Sequence, residues 1–308
     1  MWAWVCSTWL CQVIAFWLWR VIAFWAWTGP SVGLGADKVL VMYHHELSVA
    51  CRAAREAGQL ALQMQAGIDS VAKADGSPVT AGDLAADQVI RHHLLAAFPD
   101  DALLSEEATD DPARLAKSRV WIIDPIDGTK DYAAGGAGWA VQIALAVDGV
   151  LVLGVLDLPR ERTQLTGVVG HGATISDVEG VRALRIVDGP LLTTMIASSS
   201  ARNSKALMAL RAALPEYACT TCTSVGVKVH RMLRGEADLY VHTRAIYEWD
   251  VAAPAAVLLA AGGQATALSG DALICNSRSG RNPGLVFSTR ADHADVVARL
   301  QAAGLRAE

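Results

Sequence analysis

The stretch from residue 120 to residue 129 reads Val-Trp-Ile-Ile-Asp-Pro-Ile-Asp-Gly-Thr. Its first four residues have the composition of a buried strand. The next six end it. Pro125 has no N–H to give to a ladder, and Asp124 and Asp127 put two carboxylates on the bend. Such a pair repels itself unless a cation sits between, and hard oxygen ligands suit Mg²⁺. Gly128 lets the backbone come close to a ligand, and the N–H groups after it can hold a phosphate. The stretch therefore predicts a strand that delivers a metal-dependent phosphate site. Other parts of the chain must supply more ligands, a water activator and a substrate pocket.

The 308 residues suffice for one large domain or two small ones. A net charge of −5 without a basic patch argues against a nucleic-acid polymer as partner. An acidic protein that handles a phosphate ester needs metal ions for local positive charge. Six cysteines without a disulfide framework point to a reducing compartment, the cytoplasm. Cys219 and Cys222 form a CxxC with no second pair, and read as two ordinary thiols near a strand end.

Residues 1–27 are almost wholly apolar and hold seven of the ten tryptophans, in a tandem near-repeat at 13–19 and 21–27. The length could span a bilayer, but Arg20 sits midway and would be costly there. A signal peptide fits poorly, because no basic region precedes the apolar core. Translation of low-complexity DNA upstream of a start at Met42 is the preferred expectation. A membrane anchor, placing the protein at the inner membrane face, comes second. Residues 1–41 are set apart as an extension, residues 42–187 as an amino-terminal α+β half, and residues 188–308 as a carboxy-terminal α/β half. Residues 188–190, Asp-Gly-Pro, mark the boundary.

Periodicity predicts a helix over 44–66, with His44 and His45 facing solvent at its start. Residues 75–78 read as a turn, and Thr80 to Asp83 resembles a capping box opening a helix to about 97. On spacing alone Asp83 is as much a cap as an acid that orients a hydroxyl or water. Glu106 and Glu107 follow a short strand and matter only if its end meets the acidic turn. Asp148-Gly149 signals a hairpin. Irregular strands continue to about 186, after which strands at 191–197, 237–242 and 285–288 alternate with helices at 203–214, 225–234, 251–260 and 291–303. The 251–260 helix could stabilise Asp250 or a phosphate at its start.

Taken together, the segments Ser-Pro-Val-Thr-Ala-Gly-Asp (77–83), Leu-Ser-Glu-Glu (104–107), Trp-Ile-Ile-Asp-Pro-Ile-Asp-Gly-Thr-Lys-Asp (121–131) and Trp-Asp-Val-Ala-Ala-Pro (249–254) resemble the lithium-sensitive, magnesium-dependent inositol monophosphatase superfamily. Within it they look most like the CysQ-type 3′(2′),5′-bisphosphate nucleotidases, enzymes of sulfur metabolism. The likeness runs from about residue 44 to the end. It implies a layered α-β-α-β-α sandwich, an α/β (α+β) fold, with the site between the halves. It implies two or three Mg²⁺ ions held by Glu106, Asp124, the Ile126 carbonyl, Asp127 and Asp250. Asp83, Thr129 and Glu106 are then the catalytic set, with Asp83 and Thr129 orienting water. Glu106, Ile126, Asp127, Gly128, Thr129, Ser224, Lys228 and Asp250 would meet the substrate, Gly128 and Thr129 as the phosphate cradle. The resemblance also leaves room for a homodimer.

The implied activity is hydrolysis of 3′-phosphoadenosine 5′-phosphate to AMP, or of its 5′-phosphosulfate analogue, by metal-activated water. Phosphatases with an aspartate nucleophile space their two aspartates two residues apart, whereas here the spacing is three, with a proline inside. The chain departs from the CysQ pattern at Thr223, where glycine is usual, and at His242, near which arginine is frequent. Inositol 1-phosphate and fructose 1,6-bisphosphate therefore stand as alternative substrates. Glu248 reads as a sugar contact or a helix-start acid. A metal-binding, membrane-tethered regulatory protein is the non-enzymatic alternative.

Overall fold

A computed structural model describes residues 43–65, 70–72, 78–186, 193–201 and 204–305. These all fall within one compact unit, Tyr43–Glu308. The apolar amino-terminal stretch, most of the turn at 75–78 and the boundary at 188–190 lie outside the described residues. Among the described residues no helix is long and apolar enough to cross a membrane.

Helix α1 (His44–Met64) leads to a small hairpin, β1 (Ser70–Ala72) and β2 (Pro78–Thr80), and then to α2 (Ala81–Ala97). A seven-stranded sheet follows in chain order: β3 (Ala102–Ser105), β4 (Arg119–Asp127), β5 (Ala140–Val147), β6 (Val150–Leu158), β7 (Thr163–Val168), β8 (Gly172–Asp177) and β9 (Gly180–Leu184). Only the β3–β4 pair is parallel. A short helix, α3 (Thr129–Ala133), sits between β4 and β5.

The second half alternates β10 (Thr194–Ser198), α4 (Lys205–Ala213), β11 (Ala218–Cys222), α5 (Val225–Leu233), β12 (Leu239–His242), β13 (Ile246–Tyr247) and α6 (Glu248–Ala260). It closes with β14 (Gln264–Ala267), β15 (Arg281–Asn282), β16 (Leu285–Ser288) and α7 (His293–Ala302). Its main sheet is mixed, in the order β11-β10-β12-β16-β14.

Three buried clusters mark the seams between layers. Ala53, Ala57, Ile90 and Leu94 of α1 and α2 meet Trp121, Ile123 and Ile143 on one face of the first sheet. The other face, with Val120, Ile122 and Ala144, meets α5 and α6, which also cover Ile196, Tyr240 and Phe287 of the second sheet. The far side of that sheet packs Met195 and Val286 against Leu207 and Leu210 of α4 and Val296 and Leu300 of α7. The order is α-β-α-β-α, as expected, and both halves share the central core.

The structure differs from expectation in two places. The region after 158 is a regular meander. Its turns rest on left-handed glycines such as Gly170 and Gly180, and β9 is exposed along nearly its whole length, so it shows no apolar alternation to read. Helix α6 begins at Glu248, which puts Asp250 in its first turn. Cys219 packs on the outer core and Cys222 on the central one. Three residues apart on one strand, they face opposite sides and cannot bridge.

Candidate active site

Strand β4 does not stop at its proline. It runs to Asp127, and its register with β5 shifts: Asp124 pairs with Gln142, but Asp127 with Ala140. Two residues, Pro125 and Ile126, thus stand opposite one, a bulge. The proline costs the ladder no N–H, and the Ile126 N–H goes to Asp124 Oδ1 at 3.0 Å. In a regular strand, residues three apart point to opposite faces. The extra residue resets the count, so both aspartates project from the face that meets α5 and α6.

The parallel β3–β4 pair aligns Ser105 with Ile123. The Glu106 N–H extends the ladder to the Ile123 carbonyl at 3.2 Å, which sets Glu106 beside Asp124. Ser105 is fixed in turn by its hydroxyl, donated to buried Asp87 of α2 at 2.5 Å. Asp83 serves two purposes with two oxygens. Oδ2 closes the capping box, accepting from the Thr80 N–H and hydroxyl at 2.8 and 2.6 Å. Oδ1 accepts from the Thr129 hydroxyl at 3.3 Å, which also lies 3.1 Å from the Ile126 carbonyl. Gly128 makes the bend into α3 with φ +101°, and a Cβ there would sit 2.7 Å from the Gly138 carbonyl oxygen.

Asp250 arrives on α6. That helix lies close on the first sheet because Gly154 and Gly167 stand beneath it. A Cβ on Gly154 would be 2.6 Å from the Ala253 carbonyl oxygen, and one on Gly167 2.7 Å from the Ala260 Cβ. A clasp joins this helix to the Glu106 segment. Buried Arg114 bonds Asp110 at 2.6 and 3.0 Å and the Asn276 side chain at 2.7 Å. The N–H groups of Asn276 and Ser277 reach the Glu248 carboxylate at 2.6 and 2.9 Å.

Asp124, Asp127 and Asp250 each offer an oxygen within 4.8 Å of the others. Burial, then the charges of Glu106, Asp127, Asp250 and Asp83, hold the Asp124 carboxyl far above the ordinary carboxylate range. Burial, then Asp127 and Glu106, do the same to Asp250. Asp83 is also raised, chiefly by burial, with Glu106 adding to it. Acids that oppose each other's ionisation in this way need a cation to share, and an all-oxygen set fits a hard divalent ion. The residues present therefore fit the metal that the sequence implies.

Of the expected residues, Glu106, Asp124, Ile126, Asp127, Gly128, Thr129, Asp83 and Asp250 come together here. Ser224 and Lys228, expected as substrate contacts, are turned to internal partners. Both are 0% exposed. Ser224 donates to Asp127, and the Lys228 ammonium turns back to the Thr223 and Ser224 carbonyls at 2.7 and 3.1 Å. They fall in the seam between the sheets, where every polar group must find an internal partner. Glu248 likewise has its carboxylate occupied by residues 276–277, in the first turn of α6. Gln142, bonded to Asp127, went unnoticed in the sequence. Its signal was a single amide within the apolar strand 140–147.

A cavity of about 220 Å³ lies at the carboxyl ends of β10 and β12, lined by Ser198, Ser204, Leu207, His242 and Arg244. Burial, then Arg244 and Lys228, push the His242 pKa down to about 4. A larger cavity, about 490 Å³, lies beside Arg55, Asp157 and Gln164, and neither cavity is lined by the acids above.

Comparison with known proteins gives the family of the chain. The profile of the inositol monophosphatase family matches residues 42–304. The chain is 38% identical to the 3′-phosphoadenosine 5′-phosphate phosphatase of Mycobacterium leprae (strain TN), over 70% of this chain and 79% of that one. It is 34% identical to the 3′(2′),5′-bisphosphate nucleotidase CysQ of Escherichia coli (strain K12), over 79% and 99%. The crystal structure of CysQ from Bacteroides thetaiotaomicron superposes with a TM-score of 0.69 at 25% identity, covering 81% of this chain and 99% of that one. The chain belongs to the inositol monophosphatase family.

Proposed function

We propose that this member of the inositol monophosphatase family is a Mg²⁺-dependent phosphomonoesterase that removes the 3′-phosphate of 3′-phosphoadenosine 5′-phosphate, leaving AMP. Its 5′-phosphosulfate analogue would be a second substrate. The observation that carries the hydrolytic reading is the convergence of Asp124, Asp127 and Asp250 beside the Asp83–Thr129 pair. The choice of nucleotide is supported by the names and extended coverage of the mycobacterial and enterobacterial relatives.

Mg²⁺ held by Asp124, Asp127, Asp250, Glu106 and the Ile126 carbonyl would lower the pKa of a water and take up charge on the phosphoryl and leaving oxygens. The protein's part is positioning. With its O–H directed at Asp83 Oδ1, the Thr129 hydroxyl keeps lone pairs to accept a hydrogen bond from a water. The proton leaving that water passes to Thr129 Oγ1 as the Thr129 proton moves to Asp83 Oδ1. The first N–H groups of α3, unpaired within their own helix, serve the phosphoryl oxygens. The cavity between Ser198 and Arg244 takes the remainder of the nucleotide, with Arg244 rather than neutral His242 as its cation.

Phosphate release should be measured from 3′-phosphoadenosine 5′-phosphate, inositol 1-phosphate and fructose 1,6-bisphosphate, with Mg²⁺ and with or without Li⁺. The nucleotide is expected to be preferred. Release from none would favour the regulatory, metal-binding alternative. Asp124→Asn is expected to abolish turnover and to raise the melting temperature of the metal-free protein, since one of the mutually repelling acids is gone. Retained turnover would refute the assignment of the metal ligands.

A further inference from the structure

We propose that Asp127 is clamped through one carboxylate oxygen, so that it meets a cation with the other alone, and that the clamp makes the site prefer a small octahedral ion to a larger one. This rests on the metal-dependent reading above.

Three donors converge on Asp127 Oδ2. They are the Ser224 hydroxyl at 2.6 Å, the Gly226 N–H at 2.8 Å and the Gln142 amide Nε2. A carboxylate oxygen offers two lone-pair sites, so Oδ2 is fully used. None of the donors can readily turn away. Ser224 caps α5, accepting the Val227 N–H at 3.0 Å while it donates to Asp127. Gln142 is 0% exposed, and its Oε1 has no partner among the described residues. Reversing the amide would set that oxygen against a carboxylate. Gly226 is held close over β5, where a Cβ would meet the Ala140 Cβ at 3.1 Å. Lys228 ties the same turn from behind through the carbonyls of Thr223 and Ser224. Lys228 and Ser224 are therefore positioning residues that act through Asp127.

Only Oδ1 is left. Mg²⁺ demands a near-ideal octahedron of single oxygens, whereas Ca²⁺ takes more ligands and accepts bidentate carboxylates. A carboxylate with one oxygen blocked suits the first ion and denies the second an available ligand.

Calorimetric titration of Mg²⁺ and Ca²⁺ into the metal-free full-length protein tests this, using wild type, Gln142→Met, Ser224→Ala, Ser224→Thr and Asp124→Asn. Gln142→Met and Ser224→Ala are expected to weaken Mg²⁺ about tenfold, the lower end for loss of a ligand's hydrogen-bond partner, and Ca²⁺ much less. Ser224→Thr, which keeps the hydroxyl, should restore the wild-type preference. KM at saturating Mg²⁺ should stay at the wild-type value. An unchanged Mg²⁺-to-Ca²⁺ preference in folded Gln142→Met and Ser224→Ala, with binding still lost in Asp124→Asn, overturns the clamp and leaves the metal site standing. A raised KM with that preference unchanged also overturns it, by making Ser224 a substrate contact. If wild type shows no Mg²⁺ binding that Asp124→Asn removes, the site assignment itself falls. Should Ser224→Ala fail to fold, Gln142→Met, which keeps the buried volume, carries the test.

Discussion

Asp157 is a buried acid outside the site. It is 6% exposed, accepts from Gln164 Nε2 at 3.0 Å, and faces α1 at Gly58. Burial pushes its carboxyl up to about 7, although Gln164 and Arg55 pull the other way. The sign follows from proton linkage. Between the unfolded value near 4 and the folded value near 7, the native state holds a proton that the unfolded state has lost. The acid costs nothing below that window, and its cost grows through it and levels off above. Asp157→Asn should therefore stabilise the protein by about 2–4 kcal/mol at pH 8 and by clearly less at pH 5. Urea denaturation at the two pH values checks it, and equal gains at both would count against it. Asp124 and Asp127 were legible in the sequence because their spacing to proline, glycine and threonine is particular, whereas Asp83, Glu106 and Asp250 stood out only through the family resemblance. The inward turn of Ser224 and Lys228 was not legible, since it depends on a second sheet closing over them.

At the scale of elements, the small-residue helix α6 decides how the halves meet. Its alanines were readable as a helix, but not the reason for them. Gly154 and Gly167 on the facing strands bring the helix axis in, and a methyl on Gly154 would meet backbone 2.6 Å away. Gly154→Ala should destabilise by about 1–3 kcal/mol through overpacking and weaken Mg²⁺ binding by moving Asp250. Unfolding titrations and calorimetry read the two effects, and a variant of wild-type stability would contradict the packing described. Strand β4 shows the converse. Proline at 125 suggests that the strand ends, because a proline cannot donate to a ladder. A bulge needs no donor there, so the strand continues and the aspartates share a face. Sequence spacing shows that such a turn is unusual, but a pairing register is needed to say which way it points.

For the molecule as a whole, five layers make four seams, filled by three buried clusters because the central one serves both sides of α5 and α6, and each half supplies one of the two large sheets. The alternation of the second half and the hairpin at Asp148 and Gly149 made the elements predictable, and the family resemblance alone implied their layering. The exposed meander at β9 was not predictable, because an edge with no apolar face carries no periodic signal. The central layer has a consequence in time. Residues 251–258 of α6 are buried, with a sheet on either side, so their amides should exchange with deuterium only when the whole molecule opens. Those of β9, exposed at its edge, should exchange through brief local fraying. Exchange followed by mass spectrometry would show this as a difference of orders of magnitude between peptides. Comparable rates in the two would deny that α6 is the innermost layer. Asp250 thus rides on the slowest clock in the protein, and Glu106, on the segment after β3, on a faster one. A site assembled from both would come apart from the Glu106 side first.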